Sequence, residues 1–86
     1  MNEQRIEIIK QRLNQKFSPA KLEVIDDSEK HKGHAGSRGG AGHYTVIIGS
    51  AFFSGKSRVE IHREIYDVLN DLIPHEIHAL QIKIER

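Results

Sequence analysis

The chain has 86 residues, 37% of them hydrophobic and 29% charged, and its thirteen basic and twelve acidic side chains leave a formal net charge of +1. This length predicts one domain with a single core, residues 1–86, and the near-neutral charge argues against a dedicated nucleic-acid binder. There is no cysteine, which excludes disulfides, zinc ribbons and iron–sulfur clusters held by the chain's own thiolates.

The first half of the chain predicts a helix and two strands. Ile6, Ile9, Leu13 and Phe17 recur every three or four residues, as on one face of a helix from about residue 3 to 16, and Pro19 disfavours its continuation. KLEVID predicts a short strand with one wet face, and HYTVIIGS predicts a strand that is apolar on both faces and therefore central. The two strands are expected to form an antiparallel hairpin.

A long loop, predicted over residues 28–42, joins these strands. Its core, HKGHAGSRGGAGH at 31–43, holds five glycines and three histidines in thirteen positions, with no large apolar residue. The glycines predict a backbone that can rearrange easily. The loop therefore combines metal-binding side chains with conformational freedom.

The second half predicts a helix and a final strand. Ser57 and Glu60 form a capping box at the helix start, and Pro74 ends the helical region. The apolar residues of this helix are predicted to share a buried face: Ile61, Ile65, Val68, Leu69 and Leu72. In the closing segment IHALQIKIER, alternation predicts one face made of His78, Leu80, Ile82 and Ile84.

These elements predict an α+β fold with a small three-stranded sheet and helices packed on one face, in the order α-β-β-α-(short α)-β. MNEQRIEIIKQRL is charged throughout, and no run approaches the roughly 18 apolar residues of a membrane span. We therefore expect a cytoplasmic protein that does not enter membranes.

The histidines favour a metal-binding role over catalysis. His78 lies at the start of the last strand, at its open end, where packing can orient an imidazole that still reaches solvent, and a loop histidine could supply a second ligand. Two ligands cannot complete a tetrahedral site, so the others would come from a partner. An ordinary edge histidine beside a solvated loop is the alternative. No catalytic constellation is recognisable, and we expect a protein that is not an enzyme.

The second helix could alternatively contact nucleic acid. The candidate contacts are Lys56, Arg58, His62, Arg63 and Tyr66. Acidic residues on the same helix outnumber its basic ones: Glu60, Glu64, Asp67 and Asp71. A helix of mixed charge is more often a solvated surface.

Three stretches resemble the BolA family over nearly the whole chain: LEVIDDSEKHKGH, HYTVIIGSAFFSGKSRVEIHREIYDVL and IHALQIKI. The second is similar to the family signature F-x-G-x-S-x-x-x-R-H-R-x-V-Y, with matches at Phe53, Gly55, Ser57, His62, Arg63 and Tyr66. Ile61 stands where the signature has its first arginine, and Ile65 where it has valine. The missing arginine removes a positive charge from the helix proposed to face DNA.

The resemblance implies a type-II-KH-like fold and two functional expectations. One is an adaptor that binds a monothiol glutaredoxin and shares a bridging [2Fe–2S] cluster in iron–sulfur and iron homeostasis; the other is a DNA-binding transcriptional regulator of the stress or morphology type. In the first, the glutaredoxin and glutathione supply thiolates, and the isolated chain holds no cofactor. The implied ligands of this chain are His78 and the loop residue His34, with His31 and His43 as further candidates.

Overall fold

The structure, a computed structural model, describes residues 2–27 and 42–85. Its elements are helix α1 (Asn2–Phe17), strand β1 (Lys21–Asp26), strand β2 (Gly42–Gly49), helix α2 (Arg58–Val68) and strand β3 (Ile77–Ile84), with short 3-10 turns at Ala51–Phe53 and Asn70–Leu72. This order confirms the predicted α+β class. In the described part of the chain, neither helix is both long and apolar enough to cross a membrane.

The sheet has the order β1-β2-β3, with β2 in the centre as predicted. β1 pairs antiparallel with β2, which confirms the expected hairpin, and β3 pairs parallel with β2. A parallel pair needs a crossover connection, and α2 with its flanking turns supplies it. The sequence pattern alone did not predict this parallel pairing.

The core lies between one face of the sheet and the two helices. Its buried members come from every layer: Ile9, Leu13 and Phe17 of α1; Ile61 and Ile65 of α2, with Leu69 directly after it; Tyr44, Val46 and Ile48 of β2; Phe53; and Ile77 of β3. The stripe predicted for α1 is thus buried, except that Ile6 is half-buried. Val68 and Leu72 also pack at the periphery of the core.

Specific contacts begin and end the helices. The capping box of α2 is formed as predicted, with the Glu60 amide donating to Ser57 Oγ at 3.2 Å and the Ser57 amide donating to Glu60 Oε1 at 2.9 Å. These bonds satisfy two amides that a helix start leaves unpaired. At the end of α1, Ser18 adopts a φ of 42°, in the left-handed region.

A bidentate ion pair joins α1 to the 3-10 turn Asn70–Leu72 that follows α2. Arg12 donates to both carboxylate oxygens of Asp71, at 2.9 Å from Nη2 to Oδ2, and to the Val68 carbonyl at 3.3 Å. The Arg12 hydrogen bonds lower the pKa of the Asp71 carboxyl. The same contact raises the pKa of the Arg12 guanidinium. These contacts attach the last residue of α2 and the turn after it to α1.

The alternation predicted for β3 fails at its first residues. Gly42 pairs with Ile77, but His43 pairs with Ala79, so the register slips by one residue and forms a β-bulge. Ile77 therefore enters the core, at 1% exposure, whereas His78 is exposed. The prediction that His78 shares a face with Leu80 is wrong, because a bulge reverses the alternation on either side of it.

Candidate metal-binding site

Two histidines lie side by side where β2 and β3 begin. The ring centroids of His43 and His78 are 5.2 Å apart, and the ring planes are inclined by 58°. His43 is the second residue of β2 and alternates with the core residue Tyr44, so its ring lies on the sheet face opposite the helices, here called the outer face. The ring of His78 meets it there.

The two rings differ in exposure. His43 is 8% exposed, although it belongs to the outer face, whereas His78 is exposed. The bulge is the reason that they meet, because an unslipped β3 would turn His78 toward the core. His43 thus provides a fixed surface against which the more accessible ring of His78 packs.

Hydrogen bonds hold the strand ends around this pair. The Asp27 amide donates to the His43 carbonyl at 2.7 Å, and the Thr45 hydroxyl donates to the Asp27 carboxylate. The Gly42 amide donates to the Glu76 carbonyl at 3.0 Å. All three strands are therefore tied together within a few residues of the imidazoles.

Gly42 allows the close packing at this end of the sheet. A Cβ added there would lie 2.5 Å from Cε2 and 2.6 Å from the hydroxyl oxygen of Tyr44. Near the Tyr44 phenol, Arg5 Nε donates to Glu76 Oε2 at 2.8 Å. Burial raises the pKa of the Tyr44 phenol, and the Arg5 guanidinium opposes this rise. A neutral phenol thus stands on the core side of the sheet, and the imidazoles stand on the other.

The separation of the rings is compatible with two ligands of one metal ion. A tetrahedral ion bonded to two imidazole nitrogens at about 2.0–2.1 Å holds the ring centroids roughly 5 Å apart. The observed 5.2 Å matches this value, and it also matches an ordinary contact between two tilted rings. Nε2 of His43 is buried, which leaves His78 as the accessible member of the pair. No group of three or more His, Cys, Asp or Glu side chains suited to a metal occurs within residues 2–27 and 42–85. The pair is therefore at most half of a tetrahedral site there.

The predicted metal ligands fall into two groups. His43 and His78 are brought together, and the sequence pattern missed this contact because it depends on the bulge. His34 and His31, together with nearly all of the predicted loop, lie outside the described residues. Their roles stay predictions.

The nucleic-acid candidates on α2 and just before it form a surface of mixed charge. Arg58 and Arg63 are exposed and His62 is half-buried. Lys56 Nζ donates to Glu64 Oε2 at 2.6 Å, and the Tyr66 hydroxyl donates to the Leu80 carbonyl at 3.0 Å. One of the basic groups is thus matched by an acidic neighbour, and the tyrosine is attached to the edge of the sheet.

Comparisons with known proteins agree with this architecture. The family model described as "BolA-like protein" matches residues 13–85. The solved structure of the BolA domain of SufE1 from Arabidopsis thaliana has a TM-score of 0.82 and 38% sequence identity, and covers 94% of this chain and 90% of that one.

Two curated relatives illustrate the range of proteins that contain a similar sequence. SufE-like protein 1, chloroplastic/mitochondrial, of Arabidopsis thaliana is 44% identical over 79 residues, which are 86% of this chain but only 21% of that protein. The chain therefore spans about a fifth of the length of this relative. DNA-binding transcriptional regulator BolA of Haemophilus influenzae is 35% identical over 78 residues, covering 91% of this chain and 73% of that protein. The chain belongs to the BolA family.

Proposed function

We propose that this BolA-family chain is an adaptor that binds a monothiol glutaredoxin and shares a bridging [2Fe–2S] cluster with it, acting in iron–sulfur and iron homeostasis. The glutaredoxin, with glutathione, provides the thiolates that this cysteine-free chain lacks. This chain provides imidazoles. In this role it is a binding protein without catalytic residues, and it works in the cytoplasm.

The observation that carries the proposal is the contact between His43 and His78. Exposed imidazole nitrogen is a good ligand for iron, and mixed ligation by cysteine and histidine is known for [2Fe–2S] centres. A ligating histidine also needs a neighbour that fixes its ring orientation. His78 combines exposure with such a neighbour.

This chain would hold the iron through two of its imidazoles. His78 is one ligand, because it is the exposed member of the pair. The second ligand is His34, as the family resemblance implies, or His43, which the ring separation of 5.2 Å permits. If His34 is the ligand, His43 acts as a positioning residue that orients His78.

The test is cluster reconstitution with a monothiol glutaredoxin, glutathione, iron and sulfide, followed by visible circular dichroism. Adding this chain is expected to change the spectrum of the glutaredoxin-bound cluster. His78→Ala should abolish that change. His34→Ala should also abolish it if His34 is the second ligand, whereas His43→Ala should then leave a weakened but similar spectrum.

His75→Ala is the matched control, since His75 is exposed and precedes β3 without joining the pair. It should behave like the unaltered chain. If the spectrum of the mixture equals that of the glutaredoxin alone, or if His78→Ala leaves the change intact, the proposal is wrong.

A DNA-binding regulator is the second candidate function. It is favoured by the relatives named DNA-binding transcriptional regulator BolA and by the exposed Arg58 and Arg63 on α2. A mobility-shift titration against salt tests it. If the chain is such a regulator, its binding to DNA should persist at physiological salt and should weaken in an Arg58→Ala/Arg63→Ala variant. If it is not, the net charge of +1 predicts only weak, salt-sensitive association.

A further inference from the structure

The edge of β3 that faces away from β2, here called the lateral edge, presents backbone groups in a definite alternation. The Glu85 amide donates to the Ile48 carbonyl at 2.8 Å, so the backbone groups at Glu85 face β2. Because successive residues alternate, those of Ile82 and Ile84 face the lateral edge. In the part of the chain that the structure describes, β3 pairs with no strand on this side.

Tyr66 covers only the first part of this edge. Its hydroxyl donates to the carbonyl of Leu80 at 3.0 Å, which agrees with the alternation. Toward the end of β3, a cavity of about 270 Å³ lies beside the strand and is lined by Arg58, His62, Ile82, Lys83 and Ile84. Helix α2 therefore runs antiparallel to β3, and the outward amide and carbonyl groups of Ile82 and Ile84 lie next to this cavity.

The rim of the cavity is positively charged. Arg58 and Lys83 are both exposed, on the helix side and the strand side respectively. Two nearby carboxylates are engaged by other groups, since Glu60 accepts the Ser57 amide and Glu64 pairs with Lys56. Glu85 is among the residues that line a different cavity. An acidic ligand would therefore meet two cations without a facing carboxylate among these neighbours.

We propose that the lateral edge of β3 binds an extended acidic peptide segment of a partner protein by β-strand addition. Main-chain groups of the peptide pair with Ile82 and Ile84, and its acidic side chains pair with Arg58 on one face and Lys83 on the other. The paired stretch is short, about three or four residues, because Tyr66 already occupies the Leu80 carbonyl.

A polypeptide fits this edge better than nucleic acid does. The edge offers carbonyl acceptors as well as amide donors, and the phosphate backbone of DNA has no N–H group to give to the Ile82 carbonyl. A peptide main chain satisfies both. The proposal uses neither His43 nor His78, so it can fail while the cluster-sharing function stands, and the reverse also holds.

The test is a titration of the ¹⁵N-labelled chain with a blocked peptide of about six residues that alternates glutamate and valine, a length that covers the available edge. Saturable shifts are expected at the amides of Ile82 and Ile84, with slower hydrogen exchange there. A peptide of the same sequence with N-methylated alternate residues keeps the charges but cannot pair, and a lysine–valine peptide reverses the charges. Both should bind at least about tenfold more weakly.

Charge reversal on the protein gives the matched comparison. Arg58→Glu/Lys83→Glu should weaken peptide binding at least about tenfold, because both cations facing the peptide are replaced by anions. Lys16→Glu/Lys21→Glu changes the same total charge at exposed positions elsewhere and should alter the affinity by no more than about twofold. All four positions are exposed, so both variants are expected to keep the spectrum of the folded chain.

Three results would overturn the proposal. The N-methylated peptide could bind as tightly as its parent, which would exclude strand pairing. The two double variants could weaken binding equally, which would show a general charge effect. A single-stranded oligonucleotide of similar charge could displace the peptide through Arg58 and Lys83 and bind more tightly, which would make the groove a nucleic-acid site.

Discussion

The rings of His43 and His78 lie 5.2 Å apart on the outer face of the sheet, although one lies near the start of the central strand and the other in a bulge of its parallel neighbour. Neither position is unusual by itself. The parallel pairing of β2 with β3 brings the two residues to the same end of the sheet. The slip in register then turns His78 to the face on which His43 already lies.

Coupling between these two histidines is the first prediction. If His43 ligates the same iron as His78 or orients its ring, His43→Ala and His78→Ala should each lower cluster retention in the glutaredoxin mixture by about tenfold or more. The double variant should lose no more than the worse single variant, because the two residues act as one unit. Cluster retention is measured by visible circular dichroism as a function of protein concentration. If the fold-loss in the double variant equals the product of the two single losses, the two histidines act separately.

Substitution of Gly42 should destabilise the fold. A Cβ at this position would lie 2.5 Å from the ring of Tyr44, which is only 1% exposed and has little room to move. We expect Gly42→Ala to cost about 1–3 kcal/mol in the free energy of unfolding, measured by urea denaturation.

A second background tests the reason for that loss. Tyr44→Leu removes the ring atoms that the new Cβ would meet, so Gly42→Ala should cost clearly less in this background than in the unaltered chain. Equal costs in both backgrounds would mean that the tyrosine is not the cause.

The Arg12–Asp71 ion pair should make stability fall in acid. The Arg12 hydrogen bonds lower the pKa of Asp71 in the folded state, so the pair stabilises the fold above the ordinary aspartate value of about 3.9. This stabilisation is lost as the pH falls through the folded-state pKa. Asp71→Asn should therefore lower the urea midpoint at pH 6 and reduce the further drop between pH 6 and pH 3.

Asp67→Asn is the control for that experiment, because it removes a carboxylate of α2 that lies outside the ion pair with Arg12. It should leave the acid-induced drop close to that of the unaltered chain. An Asp71→Asn protein that loses as much stability in acid as the unaltered protein would contradict the assignment.

Glycine should be favoured at the end of α1. Ser18 has a φ of 42°, a conformation that costs a residue with a Cβ more than it costs glycine. We expect Ser18→Gly to raise the free energy of unfolding by about 0.5–1 kcal/mol. Ser54, with a φ of −60°, is the matched position where the same change should lower stability. Thermal or urea unfolding of both variants measures these changes in stability. A lower stability of the Ser18→Gly variant would contradict the prediction.

Much of the fold could be predicted because its signals are local. The spacing of Ile9, Leu13 and Phe17 predicts the buried face of α1, and Ser57 with Glu60 marks the start of α2 within one turn. Alternation and β-branched residues predict the central position of β2. These features depend on residues that are close together in the chain, so they can be predicted from a single sequence.

The candidate site was only partly accessible in this way. His78 could be chosen because of its place at a strand end, and the family resemblance agreed with that choice. Its contact with His43 could not be predicted, since simple alternation puts His78 on the same face of the strand as Leu80. The bond from Tyr66 to the Leu80 carbonyl was missed for a similar reason, because it joins a helix surface to an edge that only the crossover brings near.

The amino-acid sequence by itself thus determined the elements, their apolar faces, the absence of thiol ligands and the membership of a family. The tertiary structure decided the parallel pairing of β2 with β3, the bulge at His78 and the cationic cavity beside Ile82. The physical reason is that periodicity reports which side of an element is apolar, whereas register and bulges are set by hydrogen bonds and packing between segments that are distant in the chain.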